Sequence, residues 1–320
     1  MKPKIIIILI VTFISTCINA QQEAQYTQYM YNTLAINPAY AGSRGVLSLA
    51  GLHRSQWIGL DGAPVTQTFN IHSPIGNRVG LGLSIVNDEI GNGTNQETNF
   101  DGTISYTVPV SNEGNLSFGL KAGGNLLNID LSKLRTIDAS INSGTEVVVD
   151  NKFSPNFGFG IYYYTQKFYL GLSAPNILET EHFDTSGQSQ DLIAKERLNY
   201  YLITGLVIDM SDDYKFKPAV LFKGVAGAPL QIDISANFMY INKFTLGAGY
   251  RWDAAWSALA GFQLSTDIML GLAYDREITT LGNTSFNNGS VEVFLRYELL
   301  GKSKSKISGK YGKVLTPRFF

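Results

Sequence analysis

The chain contains the serine, histidine and carboxylate side chains that hydrolytic catalysis uses, but their spacing matches no catalytic motif. A nucleophile elbow has the form Gly-x-Ser-x-Gly, and this pattern is missing from the sequence. Residues 42–45, Gly-Ser-Arg-Gly, predict a turn instead. Gly80-Leu81-Gly82 lies inside a predicted strand without a following helix, which excludes a dinucleotide site. We therefore predict no catalytic residues and no enzymatic activity.

Metal binding is the second chemistry that these side chains could support. His53 and His72 fall on the first two predicted strands and could approach each other across a hairpin. Two histidines without carboxylate partners are more typical of ordinary strand residues than of metal ligands. Four carboxylates between Asp88 and Asp101 offer the oxygen atoms that calcium prefers, but not the spacing of a known calcium loop. We predict neither a metal site nor a cofactor.

The first 20 residues have the layout of a secretory signal peptide. Lys2 and Lys4 precede an apolar run of about ten residues, and residues 18–20 end on a small side chain. A membrane-spanning helix needs about 20 apolar residues, so this run is too short to be one. We predict a signal peptide at 1–20 and a mature chain beginning at Gln21. The single cysteine, Cys17, lies within the signal and fits a lipoprotein site poorly.

The composition favours a β-barrel over a soluble α/β enzyme. The net charge is -1 and only 16% of residues are charged, which argues against a nucleic-acid-binding protein. Glycine is abundant at 32 residues, and 17 tyrosines and 18 phenylalanines add many aromatic rings.

Polar and apolar side chains alternate along segments of about ten residues, which is typical of barrel strands. In residues 231–240, Ile234 and Phe238 fall on the apolar face and Asp233 and Asn237 on the polar face. Each segment has a single apolar face, which favours a barrel in a membrane over the alternative of a soluble β-sandwich. We predict an all-β transmembrane antiparallel barrel of about 14 strands within residues 46–300. The predicted spans are 46–57, 65–74, 79–87, 98–109, 114–127, 153–164, 168–175, 198–210, 214–223, 229–241, 244–252, 255–264, 268–275 and 290–299.

The pattern also assigns faces and links. We expect four residues to face lipid, namely Leu83, Leu120, Ile234 and Leu295, and four cations to face the lumen, namely Lys121, Lys217, Lys223 and Arg251. Links at 112–114 and 242–243 are tight, whereas 129–152 and 176–197 are long and are expected outside the cell. The sizeable links at 88–97 and 276–289 fit this alternation less well. Aromatic residues near strand ends predict interfacial girdles: Trp57, Tyr106, Tyr162 to Tyr164, Tyr200, Tyr201, Tyr240, Trp252, Trp256 and Tyr297.

Two segments lie outside the predicted barrel. Residues 21–45 are rich in Gln, Asn and Tyr, and we expect them to be ordered inside or against the periplasmic mouth, as a plug or as a docking surface. Residues 301–320 form a basic tail. An even strand number predicts that both termini lie in the periplasm.

Several short motifs resemble those of a known family. Residues 26–32 (Tyr-Thr-Gln-Tyr-Met-Tyr-Asn) and 36–42 (Ile-Asn-Pro-Ala-Tyr-Ala-Gly) resemble the opening of the PorP/SprF membrane proteins of the type IX secretion system. The resemblance continues over essentially the whole mature chain, although His53 stands where Tyr is more usual. The motif residues singled out as structural or partner-binding are Tyr26, Gln28, Tyr29, Asn37, Pro38, Tyr40, Gly42, Arg54, Gln56, Trp57, Pro64, Arg318 and Phe319.

The resemblance implies an outer-membrane barrel of Bacteroidetes-type bacteria that works with type IX secretion and, in some members, gliding motility. It implies two kinds of partner, namely a large secreted surface protein that carries the system's C-terminal sorting domain, often an adhesin, and the secretion machinery. From the residues alone a general porin or solute channel remains the alternative.

Overall fold

The computed structural model describes residues 25–130, 148–178, 198–226, 228–280, 282, 284 and 286–299. Over these residues the chain is almost entirely β-structure. Its strands are β1 (Leu47–Ser55), β2 (Val65–Ile75), β3 (Val79–Ile90), β4 (Asn95–Pro109), β5 (Asn115–Asp130), β6 (Val148–Tyr164), β7 (Phe168–Ala174), β8 (Asn199–Leu206, continued by Ile208–Asp209), β9 (Tyr214–Val225), β10 (Gln231–Tyr240), β11 (Phe244–Arg251), β12 (Ala255–Gln263), β13 (Ile268–Glu277) and β14 (Ser290–Leu299).

The fourteen strands form one closed antiparallel barrel, which confirms the predicted fold class. Each strand pairs with its sequence neighbours, and the sheet closes where β1 pairs with β14, from Leu47 opposite Leu299 to Ser55 opposite Val291. Strand β8 is interrupted only at Val207, and both of its parts pair with β9. Closure leaves no free strand edge, so the backbone groups of the wall bond to one another without water.

Successive links lie alternately on two rims, and the longest links share one rim. The short-turn rim carries the links at 76–78, 110–114, 165–167, 210–213, 241–243 and 264–267. The long-loop rim carries the links at 56–64, 91–94, 131–147, 175–198, 226–230, 252–254 and 278–289. Backbone chemistry explains the tightness of the 241–243 turn, because Ile241 and Asn242 both have positive φ, as a type I′ hairpin requires.

Most predicted strand limits agree with the structure to within three residues, and the larger difference is at the start of β6. Strand β6 starts at Val148 rather than at residue 153, and β5 continues to Asp130, so the predicted loop 129–152 shrinks to 131–147. Strands β3 and β4 likewise extend into 88–97. The predicted links at 88–97 and 276–289 both lie on the long-loop rim, where they shorten to 91–94 and 278–289.

The two faces of the wall differ in polarity as predicted. All four residues predicted to face lipid are exposed on the outer face, namely Leu83, Leu120, Ile234 and Leu295. The inner face is lined by buried polar side chains, among them all four predicted lumen cations. No helix among the described residues is long and apolar enough to cross a membrane.

Aromatic rings occupy both faces, so the girdle prediction is correct only in part. Tyr214 and Tyr240 pair on the outer face beside the short-turn rim, with ring centroids 4.9 Å apart. Tyr250 and Trp256 pair beside the long-loop rim at 4.4 Å. In contrast, Tyr162, Tyr164 and Tyr201 point inward and are buried. They alternate with outward residues, and the lumen needs large side chains to fill it.

Candidate functional site: the filled lumen and the long-loop rim

The chain ahead of β1 runs through the barrel. We call this segment, residues 25–46, the strap. Thr27 lies beside Arg54, near the long-loop end of β1, whereas Arg44 bonds to Glu298 near the short-turn end of β14. The strap therefore traverses the lumen from the long-loop rim to the short-turn rim before it enters β1. Most of its side chains from Tyr26 to Arg44 are buried.

A group of charged wall residues holds the strap at the long-loop rim. Glu292 accepts hydrogen bonds from the backbone N–H groups of Thr27 (2.9 Å) and Gln28 (2.8 Å). The Thr27 hydroxyl donates to Asp275 at 2.5 Å and accepts from Arg54 at 2.9 Å. Arg54 also forms ion pairs with Asp275 at 2.7 Å and Glu292 at 3.3 Å. Each carboxylate is thus bonded to both the strap and an arginine, which compensates for the loss of water around it.

The middle of the strap packs on the wall through aromatic and amide groups. The ring of Tyr31 stacks on Phe294 of β14, with centroids 5.7 Å apart. Asn70 of β2 donates to the side chain of Asn32, and Ser173 of β7 donates to the carbonyl of Ile36 at 2.6 Å. These contacts join the strap to three separate parts of the wall.

The strap contains two short helical turns, a helix at Thr33–Ile36 (α1) and a 3-10 turn at Pro38–Tyr40. We call residues 33–44, which lead to the short-turn rim, the lower strap. Asn37 caps the second turn, since its side-chain oxygen accepts the N–H of Ala39 at 2.9 Å. Its amide nitrogen donates to the carbonyl of Ile161 on β6 at 3.1 Å. One asparagine therefore both shapes the strap and binds it to the wall.

Inward-facing glycines let the strap lie directly on the wall backbone. A Cβ atom at Gly119 would overlap the backbone of Ala39, and one at Gly80 would overlap the carbonyl of Ala41. Gly42 of the strap has a φ of +71°, and a Cβ there would lie 2.7 Å from the Cα of Gly80. Larger residues at these positions would push the strap away from the wall.

The predicted lumen cations have partners of several kinds. Lys121 pairs with Asp101 at 2.9 Å and donates to Asn176 at 3.0 Å. Arg251 pairs with Asp233 at 2.6 Å. Lys223 lies over the ring of Tyr201, 5.6 Å from its centroid. Lys217 is completely buried. These pairs lie on neighbouring or nearby strands and make the inner wall polar but internally compensated.

The short-turn rim carries an exposed ion pair that contrasts with the buried ones. Lys167, in the turn after β6, pairs with Asp209 at 2.9 Å, and both side chains are exposed. The hydrogen bond to Asp209 raises the pKa of Lys167. Because water surrounds this pair, it contributes little to stability compared with a pair inside the lumen.

The two strand histidines do not come together. His53 faces outward and contacts Ser55, with Nε2 and Oγ 3.1 Å apart. His72 faces the lumen, where its Nδ1 accepts the backbone N–H of Gly42 at 3.1 Å and its ring meets Tyr40 edge-on. The strand register pairs His53 with Gln67 rather than with His72. In the described part of the chain, no group of three or more His, Cys, Asp or Glu could hold a metal ion.

A second cluster of motif residues shapes the long-loop rim. Arg54 ends in the lumen, but Gln56 donates its N–H to the carbonyl of Pro64 at 2.9 Å and closes the loop 56–64. Trp57 has a φ of +45°, a left-handed conformation that is rare for a large aromatic residue, and its indole N–H donates to Glu277. Such strain persists only where the surrounding structure enforces it.

This loop borders a surface cleft of about 450 Å³. Hydrogen bonds fix the position of the loop 56–64 from both sides. Ile58 forms two backbone hydrogen bonds with the 278–289 link, and the N–H of Gly91 donates to the carbonyl of Gly62. Ile58 and Leu60 are exposed, so the cleft presents apolar side chains to solvent. The cleft is lined by Ser55, Gln56, Trp57, Ile58, Leu60, Asp61, Gly62, Ala63, Val65 and Asn92.

The motif residues thus divide into two groups in space. Seven belong to the strap, namely Tyr26, Gln28, Tyr29, Asn37, Pro38, Tyr40 and Gly42. Four lie in or beside the long-loop rim, namely Arg54, Gln56, Trp57 and Pro64. Arg318 and Phe319, like the predicted signal peptide and basic tail, fall outside the described residues. The sequence reasoning missed Asp275, Glu292 and Glu298 as partners of the strap. Their one visible signal is a charged residue on the polar face of a strand.

The path of the strap bears on the prediction that both termini lie in the periplasm. Leu47 and Leu299 do lie on the same rim, as an even strand number requires. The strap, however, carries the chain back through the lumen, so Thr27 lies near the opposite rim. Residues 21–24 and 300–320 lie outside the part of the chain that the structure describes.

A closed fourteen-strand wall with an apolar outer face and a polar lumen defines an outer-membrane β-barrel protein. The chain belongs to the family "Type IX secretion system membrane protein PorP/SprF", whose model matches residues 18–297. This family assignment agrees with the resemblance of the strap and rim motifs. A search of curated protein sequences found no match.

Solved barrels resemble the chain only distantly. The Acinetobacter baumannii outer membrane protein Omp33 is 8% identical, with a TM-score of 0.44 over 79% of this chain and 97% of Omp33. The CymD monoaromatic hydrocarbon channel is 12% identical, with a TM-score of 0.45 over 88% of this chain and 94% of CymD.

Proposed function

We propose that this protein is a plugged scaffold barrel that supports type IX secretion by holding a partner secreted protein at the cell surface. The proposed partner is a large protein with the system's C-terminal sorting domain, such as an adhesin, including one used for gliding. The observation that carries this proposal is the strap, because a lumen occupied from rim to rim leaves the barrel better suited to binding than to passive solute flow.

The long-loop rim is the proposed partner surface. It combines a cleft bounded by hydrogen-bonded loops with exposed apolar side chains at Ile58 and Leu60. Exposed apolar groups on a fixed frame are typical of protein-binding surfaces. The short-turn rim and the basic tail at 301–320 are the proposed contacts for the periplasmic secretion machinery, which requires the short-turn rim to face the periplasm.

Affinity capture from native membranes tests the proposal. We expect the wild-type barrel to recover one large surface protein, and Leu60→Asp to lose that protein while the barrel stays folded. The control is Leu264→Asp, at an exposed leucine on the short-turn rim, which should retain the surface protein although Leu264 is 62% exposed and Leu60 38%. Recovery of the barrel alone, together with a stable open conductance in planar bilayers, would favour a porin and contradict the proposal.

A further inference from the structure

The strap bonds to the strand that closes the barrel, and it does so at both ends. At the long-loop rim the N–H groups of Thr27 and Gln28 donate to Glu292, and at the short-turn rim Arg44 donates to Glu298 at 2.5 Å. Glu292 and Glu298 lie near opposite ends of β14, and β14 pairs with β1 to close the sheet. The strap therefore spans almost the full height of the closing seam.

At the long-loop rim, contacts of the strap cross the seam, which is the junction of β1 and β14. Arg54 of β1 is the direct register partner of Glu292 of β14, and the two form an ion pair across the junction. Thr27 lies against both strands, since its hydroxyl accepts from Arg54 and its N–H donates to Glu292. A single strap residue thus joins the first strand to the last.

The middle and the far side of the strap complete the arrangement. Tyr31 stacks on Phe294, which is fully buried and lies between Glu292 and Glu298 on β14. Residues 38–40 rest on β4, β5 and β6, several strands away from the seam, where Gly119 and Gly160 leave room for them. The strap is thereby supported by another part of the wall while it binds the seam.

From these contacts we propose that the strap is a seam lock, which holds β1 and β14 together and keeps the barrel closed. Like all neighbouring strands, the two are joined by backbone hydrogen bonds, but they are also the first and last strands, so this ladder is the one that closes the sheet. The strap adds charged hydrogen bonds at both ends of that ladder. Its loss should weaken the seam selectively rather than the wall as a whole.

Amide hydrogen exchange of the full chain in lipid nanodiscs measures this selectivity. The variant Thr27→Val, Arg44→Gln removes the hydroxyl bonds to Asp275 and Arg54 and the pair with Glu298, and leaves every wall residue intact. We expect at least tenfold faster exchange in β1 and β14 and little change in β4 and β5. Equal acceleration in all strands, or none in the seam, would overturn the proposal.

A second experiment separates seam closure from general stability. It places a disulfide staple in a chain that lacks residues 25–40, which we expect to fold less completely than the full chain. Gly51→Cys with Leu295→Cys joins register partners across the seam, and Ala260→Cys with Leu272→Cys joins partners across β12 and β13 as the matched control. The fraction of folded barrel is read from its faster migration on gels before heating. We expect only the seam staple to restore that fraction. Equal rescue by both staples, or rescue by neither, would contradict the seam lock.

Discussion

The side chain of Asn37 occupies the space that a side chain at Gly160 would need. A Cβ atom at position 160 would overlap Oδ1 of Asn37 and lie 3.0 Å from Cδ of Pro38. Asn37 in turn caps the turn that follows it and bonds to β6. The absence of one side chain on the wall is thus a condition for the strap to lie where it does.

The first prediction concerns this pair. Gly160→Ala should displace the lower strap and destabilise the barrel by about 1–3 kcal/mol, the usual cost of overpacking. It should also expose the strap to added protease. The matched control is Gly224→Ala in β9, where an added Cβ would have no atom within 4 Å. Thermal unfolding in detergent measures both variants, and equal stability would show that the strap does not bear on Gly160.

The second prediction contrasts a buried ion pair with an exposed one. Asp101→Asn leaves Lys121 in the lumen without its carboxylate, and losing one member of a buried pair costs about 3–5 kcal/mol. Asp209→Asn breaks the exposed pair with Lys167 and should leave the unfolding temperature unchanged. The unfolding midpoints of the two variants decide the matter. A midpoint for Asp101→Asn as high as that of the wild type would mean that water reaches Lys121.

The third prediction tests the lipid face. Leu120 is 63% exposed and lies midway along the wall, opposite Ile104 and Phe159. Arg at the bilayer midplane of a barrel costs about 2–4 kcal/mol, so Leu120→Arg should impair assembly. Leu264→Arg is the control, since Leu264 is 62% exposed but lies in a short turn. Similar yields of folded protein from both variants would contradict the face assignment.

A lumen-facing residue such as Asn237, which points inward as predicted, would be a poor control for the lipid-face test. It is 1% exposed, and its side chain fills the space over Gly247. Arginine there would be destabilising through crowding alone. A loss of assembly in Asn237→Arg would therefore say nothing about lipid.

The fourth prediction concerns orientation across the membrane. Bacterial barrels usually carry short turns in the periplasm and long loops outside, so we expect the long-loop rim to face the medium. Asp61→Cys should react with an impermeant maleimide on intact cells, and Thr266→Cys in a short turn should react only after the outer membrane is opened. The reverse pattern would place the strap and both rims the other way round.

The fifth prediction concerns the lumen. The intact barrel should show no stable conductance in planar bilayers, because the strap fills the lumen from rim to rim. A chain without residues 25–40, stabilised by the seam staple, should conduct ions. Stable conductance of the intact barrel would remove the basis for a plugged scaffold. Absence of conductance in the shortened chain would show that other residues also block the lumen.

The alternation of polar and apolar residues was enough to determine the barrel. Strand β14 illustrates this, because Val293 and Leu295 predict a lipid face and Glu292 and Arg296 a lumen face without any knowledge of the partners. The period of two is a local property of extended backbone, and the surrounding lipid and water then decide which face is which. The strand number and the lipid-facing set were predictable for this reason.

Only the tertiary structure decided what the polar face binds. Residues 27 and 292 are far apart along the chain, and nothing in their spacing indicates that they meet across a closed seam. The same holds for the inward tyrosines, which look like girdle residues until the register assigns them to the lumen. Closing the sheet brings its two ends together around the strap, and contacts made by closure depend on the whole barrel rather than on any local pattern of residues.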